Sequence, residues 1–404
     1  MADPIDLAQA VAQLVRIPSV NPLQCDDSAI TGELRLAEHL AEWASDLGAT
    51  VDLDPVIGDR PNLIARFEGE RPEVVIVDAH LDTVAVDHMD GDPFDGRIDD
   101  GRVYGRGSVD TKATFALVLN VLAELRAAGR RPGPTVVLVG TVSEEIGGLP
   151  GARHLARRLI ANGDRVDRMI VAEPTVCAPV HGHRGGVGLE VCLHGHAAHS
   201  SQPHLGANAI SAAARVITAI DIEQERLARN ESGLALGGGS VSVTEIRGGV
   251  ARNIIPDRCE FYTGRRIAPG EDPAAEFEHL RSLITNAAMP CTAEVTMAGG
   301  RGFPAFLTEP TDPFVVELAR LTGEAPITVG YGSNCAAYDA IDACRLSLVA
   351  LADAVSAVLD DQSRDRSAVT SSELLDRLAI VDSLEAEIAV LRARLGTLDT
   401  SHES

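Results

Sequence analysis

The stretch VVIVDAHLD, residues 74–82, joins an apolar strand pattern to two polar side chains, His80 and Asp82. Two later apolar runs end in the same way, each followed by acidic side chains: residues 136–140 before Glu144 and Glu145, and residues 169–172 before Glu173. In an α/β sheet, ligands bind at the carboxyl ends of the strands. An imidazole and several carboxylates that converge there suit zinc or a similar divalent ion.

The order of the predicted elements indicates two domains in the 404 residues. Strand and helix patterns alternate to about residue 180, which predicts an α/β catalytic domain with a mostly parallel sheet. Beyond that point the pattern becomes β-α-β-β-α-β, a ferredoxin-like unit. Its predicted strands are 187–193, 240–246, 258–265 and 292–297, and its predicted helices are 207–229 and 273–288. We expect a discontinuous metal-binding catalytic domain, 1–184 and 298–404, around an inserted lid and dimerisation domain, 185–297.

Composition argues against two classes of partner. A formal net charge of -24 repels phosphate backbones, and 3% aromatic residues leave little surface on which bases could stack. We therefore expect no nucleic acid. The N-terminus lacks a basic segment, and no apolar run reaches membrane-spanning length, so we expect no signal peptide and no membrane contact. Seven scattered cysteines without a CxxC pair indicate a reduced, cytoplasmic protein.

The polar residues suit a metallohydrolase. A two-metal hydrolase needs a bridging ligand, further ligands on each ion, and a base for the attacking water. Asp82 stands two residues after His80, where a carboxylate can orient the imidazole. Glu144 and Glu145 are adjacent, so their side chains must point differently, and one can ligate while the other acts as general base. Asp110 is a candidate bridge, although it could instead cap the helix that follows it.

Five motifs together resemble one known family. They are LVRIPSVNP at 14–22, AHLDTV at 79–84, YGRGSVDTK at 104–112, SEEIGG at 143–148 and AEPT at 172–175. In this order they resemble the acetylornithine deacetylase / succinyl-diaminopimelate desuccinylase family of zinc hydrolases, which also contains aminoacylases and carboxypeptidase G-like enzymes. The resemblance extends from residue 14 to about residue 340.

The resemblance implies a role for each polar residue of the catalytic domain. His80, Asp110 and Glu173 would hold one zinc ion. Asp110 would bridge to a second zinc ion that Glu145 also holds. Glu144 would be the general base, and Asp82 would be the partner of His80. Cobalt and manganese are alternatives to zinc, because ligand type alone does not separate these ions.

The inserted domain supplies a second set of implied residues. His199 lies in GHAAHSS, residues 195–201, which matches a motif whose histidine reaches the partner subunit's active site and polarises the scissile carbonyl. The resemblance thus implies a homodimer. Asn253 and Arg265 fall where the family binds the substrate's carboxylate, a task that suits the arginine fork. Gly264 stands where the family has an acidic residue, so Arg266 is the alternative to Arg265.

The C-terminal region departs from the family. The family closes its second metal site with a histidine near the C-terminus, and the best local fit, residues 367–373, places Val369 there. The only histidine after residue 279 is His402 in the tail. A second metal site without an imidazole should bind zinc more weakly. An amphipathic closing helix is predicted at 372–395.

The sequence thus predicts metal-dependent hydrolysis of an amide bond in an N-acyl amino acid. His183, Arg184, Gly185 and the segment 333–337 resemble the acetylornithine deacetylase branch most. A dipeptidase or carboxypeptidase-like metallopeptidase that acts on short peptides is the second hypothesis. A catalytically impaired relative that serves as a binding protein is the third, because the C-terminal histidine is not found.

Overall fold

A computed structural model gives the fold, and the structure describes residues 6–146, 149–229, 236–338, 341 and 346–348. The predicted helix at 372–395, Val369 and His402 lie outside these residues. Within them, no helix combines the length and the apolarity that crossing a bilayer requires.

The described elements are numbered in chain order. The helices are α1 Leu7–Val15, α2 Leu34–Asp46, α3 Lys112–Ala127, α4 Pro150–Asn162, α5 Ala209–Ala228, α6 Pro273–Ala287 and α7 Pro313–Thr322. The strands are β1 Thr50–Ile57, β2 Arg60–Phe67, β3 Val74–His80, β4 Arg97–Asp99, β5 Arg102–Tyr104, β6 Thr135–Thr141, β7 Arg168–Val171, β8 Val180–His183, β9 Gly185–His194, β10 Ala198–His199, β11 Ser240–Gly248, β12 Ile254–Ile255, β13 Arg258–Ile267, β14 Thr292–Met297, β15 Phe306–Leu307, β16 Ile327–Val329 and β17 Leu346–Leu348.

Local sequence explains where several helices begin. The side chains of Asn208, Asp272 and Asp312 accept hydrogen bonds from the first backbone N–H groups of α5, α6 and α7. Helices α6 and α7 also start at a proline, whose fixed φ suits the first helical position and whose missing N–H costs nothing there. These caps satisfy groups that have no partner inside the helix.

The large sheet has the order β1-β2-β6-β3-β7-β17-β8-β15, with β16 also paired to β8. Strands β6, β3, β7 and β17 run parallel, whereas the strands on either side are antiparallel. The α/β class is confirmed, and the expected parallel pairing holds at the centre of the sheet. The flank differs because β1 and β2 are joined by two residues, a connection that only an antiparallel hairpin permits.

Strand β3 is the buried centre of this domain. All seven of its residues are buried. Val75, Val77 and Ala79 contribute to the core under α1, α2 and α3, while Val74 and Ile76 contribute to the core under α4. Because successive side chains point to opposite faces, a strand covered on both faces is mostly apolar. Asp78 is the exception, and its carboxylate accepts hydrogen bonds from Thr141 and Tyr338. This covering fixes the position of His80 at the end of the strand.

The inserted unit forms a separate four-stranded antiparallel sheet of order β11-β13-β9-β14. Helices α5 and α6 contribute to one apolar core with its strands. The chain order β9-α5-β11-β13-α6-β14 is the ferredoxin-like order, so all six predicted elements are present. The domain boundaries at 185 and 297 stay a prediction.

A buried ion pair joins Glu33, the residue before α2, to Arg60, the first residue of β2. Arg60 Nε donates to Glu33 Oε2 at 2.6 Å, and the Glu33 side chain is fully buried. Burial raises the pKa of Glu33, and the nearby charge of Asp82 raises it further, while Arg60 lowers it. The pair therefore holds a carboxylate that could not remain ionised there alone.

We expect Arg60→Met to lower the free energy of unfolding by about 3–5 kcal/mol, because it leaves the Glu33 carboxylate buried without a partner. Arg66→Met is the matched control on the same strand, since Arg66 pairs with Glu68 at the surface and should lose less than about 1 kcal/mol. Urea denaturation at pH 7 measures both losses. Equal losses in the free energy of unfolding would show that the buried pair stabilises the fold no more than the surface pair does.

Candidate metal centre

The predicted convergence of polar side chains is present at the carboxyl ends of three adjacent parallel strands. His80 ends β3, the Glu144-Glu145 pair follows β6, and Glu173 follows β7. Strand β3 lies between β6 and β7 and pairs with both in parallel. The three connections therefore leave the sheet at one edge and meet there.

Asp110 joins this cluster from the loop before α3. Its Oδ1 lies 2.8 Å from Nε2 of the buried His80. Thr111, and not Asp110, is the N-cap residue of α3, and no side chain caps this helix. The structure therefore excludes the capping alternative and gives Asp110 a place beside the imidazole.

Potential ligand atoms form two groups among the described residues, and His80 belongs to both. One group is His80, Glu144 and Glu173, and the other is His80, Asp110 and Glu145, with all ligand atoms of a group within 4.8 Å of one another. The expected set of His80, Asp110 and Glu173 is thus divided between the two groups. The individual ligand roles stay predictions.

The electrostatics of the cluster are those of an uncompensated anionic site. Burial, the largest cause, and neighbouring carboxylates together raise the pKa of Glu144 to about 8 and that of Glu145 to about 7, against the opposing charge of His80. Burial and the charge of Glu144 raise the pKa of Glu173 well above its usual value. Burial lowers the pKa of His80, but hydrogen bonding to Asp110 and the surrounding carboxylates outweigh it and raise that pKa well above 6.5.

These residues fit a divalent cation. Glu173 Oε1 is buried and has no hydrogen-bond partner in the described structure. A buried carboxylate oxygen without a donor is costly unless a cation compensates it. A bound ion would also relieve the mutual repulsion that raises the carboxylate pKa values. Imidazole with carboxylates is a ligand set that zinc accepts.

Asp82 differs from the expectation in how it contacts His80. The imidazole Nδ1 lies 2.8 Å from the main-chain oxygen of Asp82, whereas the nearer carboxylate oxygen is 3.7 Å away. The carboxylate instead accepts hydrogen bonds from the backbone N–H groups of Glu144 at 2.9 Å and Glu145 at 3.1 Å. Asp82 thus orients the imidazole through its main chain, and its side chain holds the glutamate pair.

His199 and Asn253 lie together on the inserted unit, because β10 pairs with β12 and the Ser200 N–H donates to the Asn253 oxygen. Both residues are exposed. The backbone N–H of Ser201 donates to His199 Nδ1 at 3.2 Å, so Nδ1 acts as an acceptor in the neutral ring. Nε2 then carries the proton and can donate it to a ligand.

The position of Arg265 does not favour its expected carboxylate-binding role, which stays a prediction. Its side chain is 1% exposed and pairs with Glu271 at 2.8 Å and with Glu276 at 3.1 Å. Arg266, its neighbour on β13, is exposed. The signal was the alternation along β13, since residues 261, 263, 265 and 267 are all buried against the helices. That phase places Arg266 on the opposite face.

Tyr331 is a residue whose electrostatics respond to the cluster and that the sequence analysis did not single out. Burial, with the charges of Glu173 and Asp110, raises the pKa of its phenol to about 12. The segment after it is fixed by buried bonds: Tyr338 Oη donates to Asp78 at 2.6 Å, and Asn334 donates to Thr141 at 2.8 Å. The similarity of residues 333–337 to the acetylornithine deacetylase branch was the sequence signal that could have pointed to this segment.

Comparison with known proteins identifies the family. The sequence family described as Peptidase family M28 matches residues 62–173, and that described as Peptidase dimerisation domain matches residues 181–290. Acetylornithine deacetylase of Vibrio vulnificus is 30% identical over 312 residues, which cover 76% of this chain and 80% of that protein. The chain belongs to the acetylornithine deacetylase / succinyl-diaminopimelate desuccinylase family.

Solved structures of M20 metallopeptidases share the fold. The M20 family metallo-carboxypeptidase Sso-CP2 from Sulfolobus solfataricus has a TM-score of 0.70 at 18% identity, and the match covers 85% of this chain and 91% of that chain. Human carnosine dipeptidase 1 has a TM-score of 0.67 at 16% identity, covering 85% and 89%. Membership of the acetylornithine deacetylase family supports metal-dependent hydrolysis of amide bonds, with a divalent metal as cofactor.

The raised pKa values predict that the metal-free protein becomes less stable as pH rises. Glu144 and Glu145 have pKa values of about 8 and about 7 in the folded chain, above their ordinary 4.5. The native state therefore binds more protons than the unfolded state, so the free energy of unfolding falls between about pH 4.5 and pH 8. The raised pKa of His80 acts in the same direction, since its contribution is lost as pH rises through the folded value.

Urea denaturation of chelator-treated protein at pH 5.5, 6.5, 7.5 and 8.5 measures this slope. Glu144→Gln removes one of the protons concerned and should make the slope shallower. Added zinc should oppose the loss at high pH, because a metal requires deprotonated ligands. Identical slopes for the parent and Glu144→Gln would contradict this electrostatic description.

Proposed function

We propose that this chain is a zinc-dependent deacylase that hydrolyses the amide bond of an N-acyl amino acid. The observation that carries the proposal is the cluster of the buried His80, Asp110 and three half-buried glutamates at the carboxyl ends of β3, β6 and β7. The relatives named acetylornithine deacetylase support the deacylase reaction over other amide hydrolyses.

Glu144 is the general base of the proposed reaction. A bound divalent ion supplies an activated water and polarises the scissile carbonyl. Glu144 has a carboxylate oxygen within 4.8 Å of ligand atoms of His80 and Glu173, so its carboxylate can take a proton from a water held there and return it to the leaving amine. The backbone N–H of Glu144 donates to the Asp82 carboxylate, and this bond fixes the position of the Glu144 main chain from which the side chain extends. Glu145, one residue later, belongs to the group around Asp110.

The inserted unit contributes substrate recognition in this proposal. Asn253 and Arg266 are exposed polar side chains suited to the substrate's carboxylate, and Arg266 replaces the buried Arg265 in that role. His199 offers an Nε2 donor for the developing oxyanion. We propose a homodimer in which His199 acts in the partner's site. The edge strand β11 and the loop after it, which expose Ile246 and Val250, are consistent with a subunit contact.

Cleavage of short peptides is the second candidate function. The fold likeness to the Sulfolobus carboxypeptidase and to human carnosine dipeptidase 1 favours it. Both reactions hydrolyse an amide bond next to a free carboxylate, so both need the same kind of site. A panel of N-acyl amino acids and dipeptides, tested with added zinc or cobalt, distinguishes the two. Faster turnover of dipeptides would replace the deacylase proposal.

Glu144→Gln should lower turnover of the preferred substrate by at least ~10²-fold, because the variant lacks the general base. Its metal content should stay near that of the parent. Glu145→Gln is the matched variant at the neighbouring residue. It alters a proposed ligand, so it should lose metal from the site formed with Asp110. Kinetics and elemental analysis of the same preparations measure both effects.

Near-normal turnover in Glu144→Gln would remove this residue from the mechanism. Turnover of neither substrate class by the zinc-loaded parent, with metal bound, would favour a binding protein that retains the fold.

Subunit mixing tests the shared site. His199→Ala and Glu144→Gln should each be inactive as homodimers. A hybrid dimer contains one site in which both residues are intact, so mixing with verified subunit exchange should restore activity. Half-maximal recovery per exchanged dimer is the expected ceiling. Lack of recovery after exchange would mean that His199 does not act across the interface.

A further inference from the structure

Asn21 connects three loops behind the proposed base. Its side chain is fully buried, in the IPSVNP segment between α1 and α2. Asn21 Nδ2 donates to Asp82 Oδ2 at 2.8 Å and to Ser143 Oγ at 3.1 Å. Its backbone N–H donates to the Thr83 oxygen at 2.9 Å. A single amide thus joins the loop after β3 to the loop after β6.

The Asp82 carboxylate is the centre of these contacts. Oδ1 accepts from the Glu144 N–H, and Oδ2 accepts from both the Glu145 N–H and Asn21 Nδ2. Ser143, which precedes the glutamate pair, has a left-handed φ of 63° that a non-glycine residue rarely adopts. The loop therefore needs external contacts to keep this conformation, and Asn21 supplies one directly, to Ser143, and supports the others through Asp82.

We propose that Asn21 is a positioning residue that fixes Asp82 and Ser143 and thereby sets where Glu144 and Glu145 stand. The proposal rests on the proposed function, in which Glu144 is the base and Glu145 holds metal. Removing the amide donor releases one bond of Asp82 and the bond to Ser143 together. The glutamate pair then loses its alignment with His80, whereas Glu173, on the connection after β7, keeps its position.

The two ends of the Asn21 amide allow a sharp test. Oδ1 accepts the Leu23 N–H at 3.0 Å, a local contact that shapes the turn, and Nδ2 makes the bonds to Asp82 and Ser143. Asn21→Asp has the same shape and keeps the acceptor, but in its ionised form it has no donor and places a second carboxylate against Asp82. Asn21→Leu removes both. If only the bond from the Leu23 N–H to position 21 is needed, Asn21→Asp should behave as the parent. If the Nδ2 donor is needed, ionised Asn21→Asp should lose activity as Asn21→Leu does.

The experiment measures kcat, KM and zinc binding for the parent, Asn21→Asp and Asn21→Leu. We expect both variants to lower kcat by about 10–100-fold with KM within about twofold, the range found when groups behind a metal site are altered. Titration with zinc against a chromophoric chelator should show weaker binding of the second metal equivalent and unchanged binding of the first. Ser143→Ala should give a smaller loss, since Asp82 keeps its Asn21 bond.

Asn334→Leu is the matched control, because Asn334 is a buried amide that donates to a neutral hydroxyl, Thr141 Oγ1. Asn334→Leu should lower the free energy of unfolding, but it should not weaken binding of the second zinc equivalent relative to the first. Parent-like kcat and zinc binding in Asn21→Leu, which has no donor at any pH, would overturn the proposal, as would the same weakening of the second zinc equivalent in the Asn334 control. If the parent hydrolyses none of the substrates, the proposed function fails, and the zinc titration alone still decides whether Asn21 acts through Glu145.

Discussion

The repulsion among buried carboxylates is the constraint on which the site depends. Glu144, Glu145, Glu173 and Asp110 surround one imidazole, and burial raises the pKa of the three glutamates. A protein without a cation there would have to protonate these groups or leave them unstable. At neutral pH either retained protons or a bound cation must compensate the cluster, so the same electrostatics that cost folding energy favour a divalent ion.

The fold holds the charged residues of the cluster close together by placing them on separate strands and loops. Strand β3 is covered on both faces, which fixes His80, and the parallel neighbours β6 and β7 bring their following loops to the same edge. Hydrogen bonds then determine the details. Asp82 holds the glutamate pair, and the bond between Tyr338 and Asp78 anchors the segment after Tyr331. A preorganised site of this kind avoids reorganisation during the reaction.

Sequence predicted those features that depend on periodicity and on strand ends. The six elements of the inserted unit were placed within about two residues, because alternating burial and helical spacing are strong local signals. The cluster at His80 followed from apolar runs that each stop before a carboxylate. The roles of Arg265 and Arg266 were left open: the alternation along β13 was an available signal for the phase, whereas the pairing of Arg265 with Glu271 is a tertiary contact. Asp82 reaches His80 through a main-chain oxygen, which no residue type reveals.

Anomalous diffraction at the zinc edge, from crystals of the zinc-loaded protein, tests the central claim most directly. The account predicts a strong peak within about 2.0–2.2 Å of His80 Nε2 and of carboxylate oxygens from the cluster. A second, weaker peak is expected between Asp110 and Glu145. Zinc elsewhere on the chain, with none bound by His80, would contradict the account.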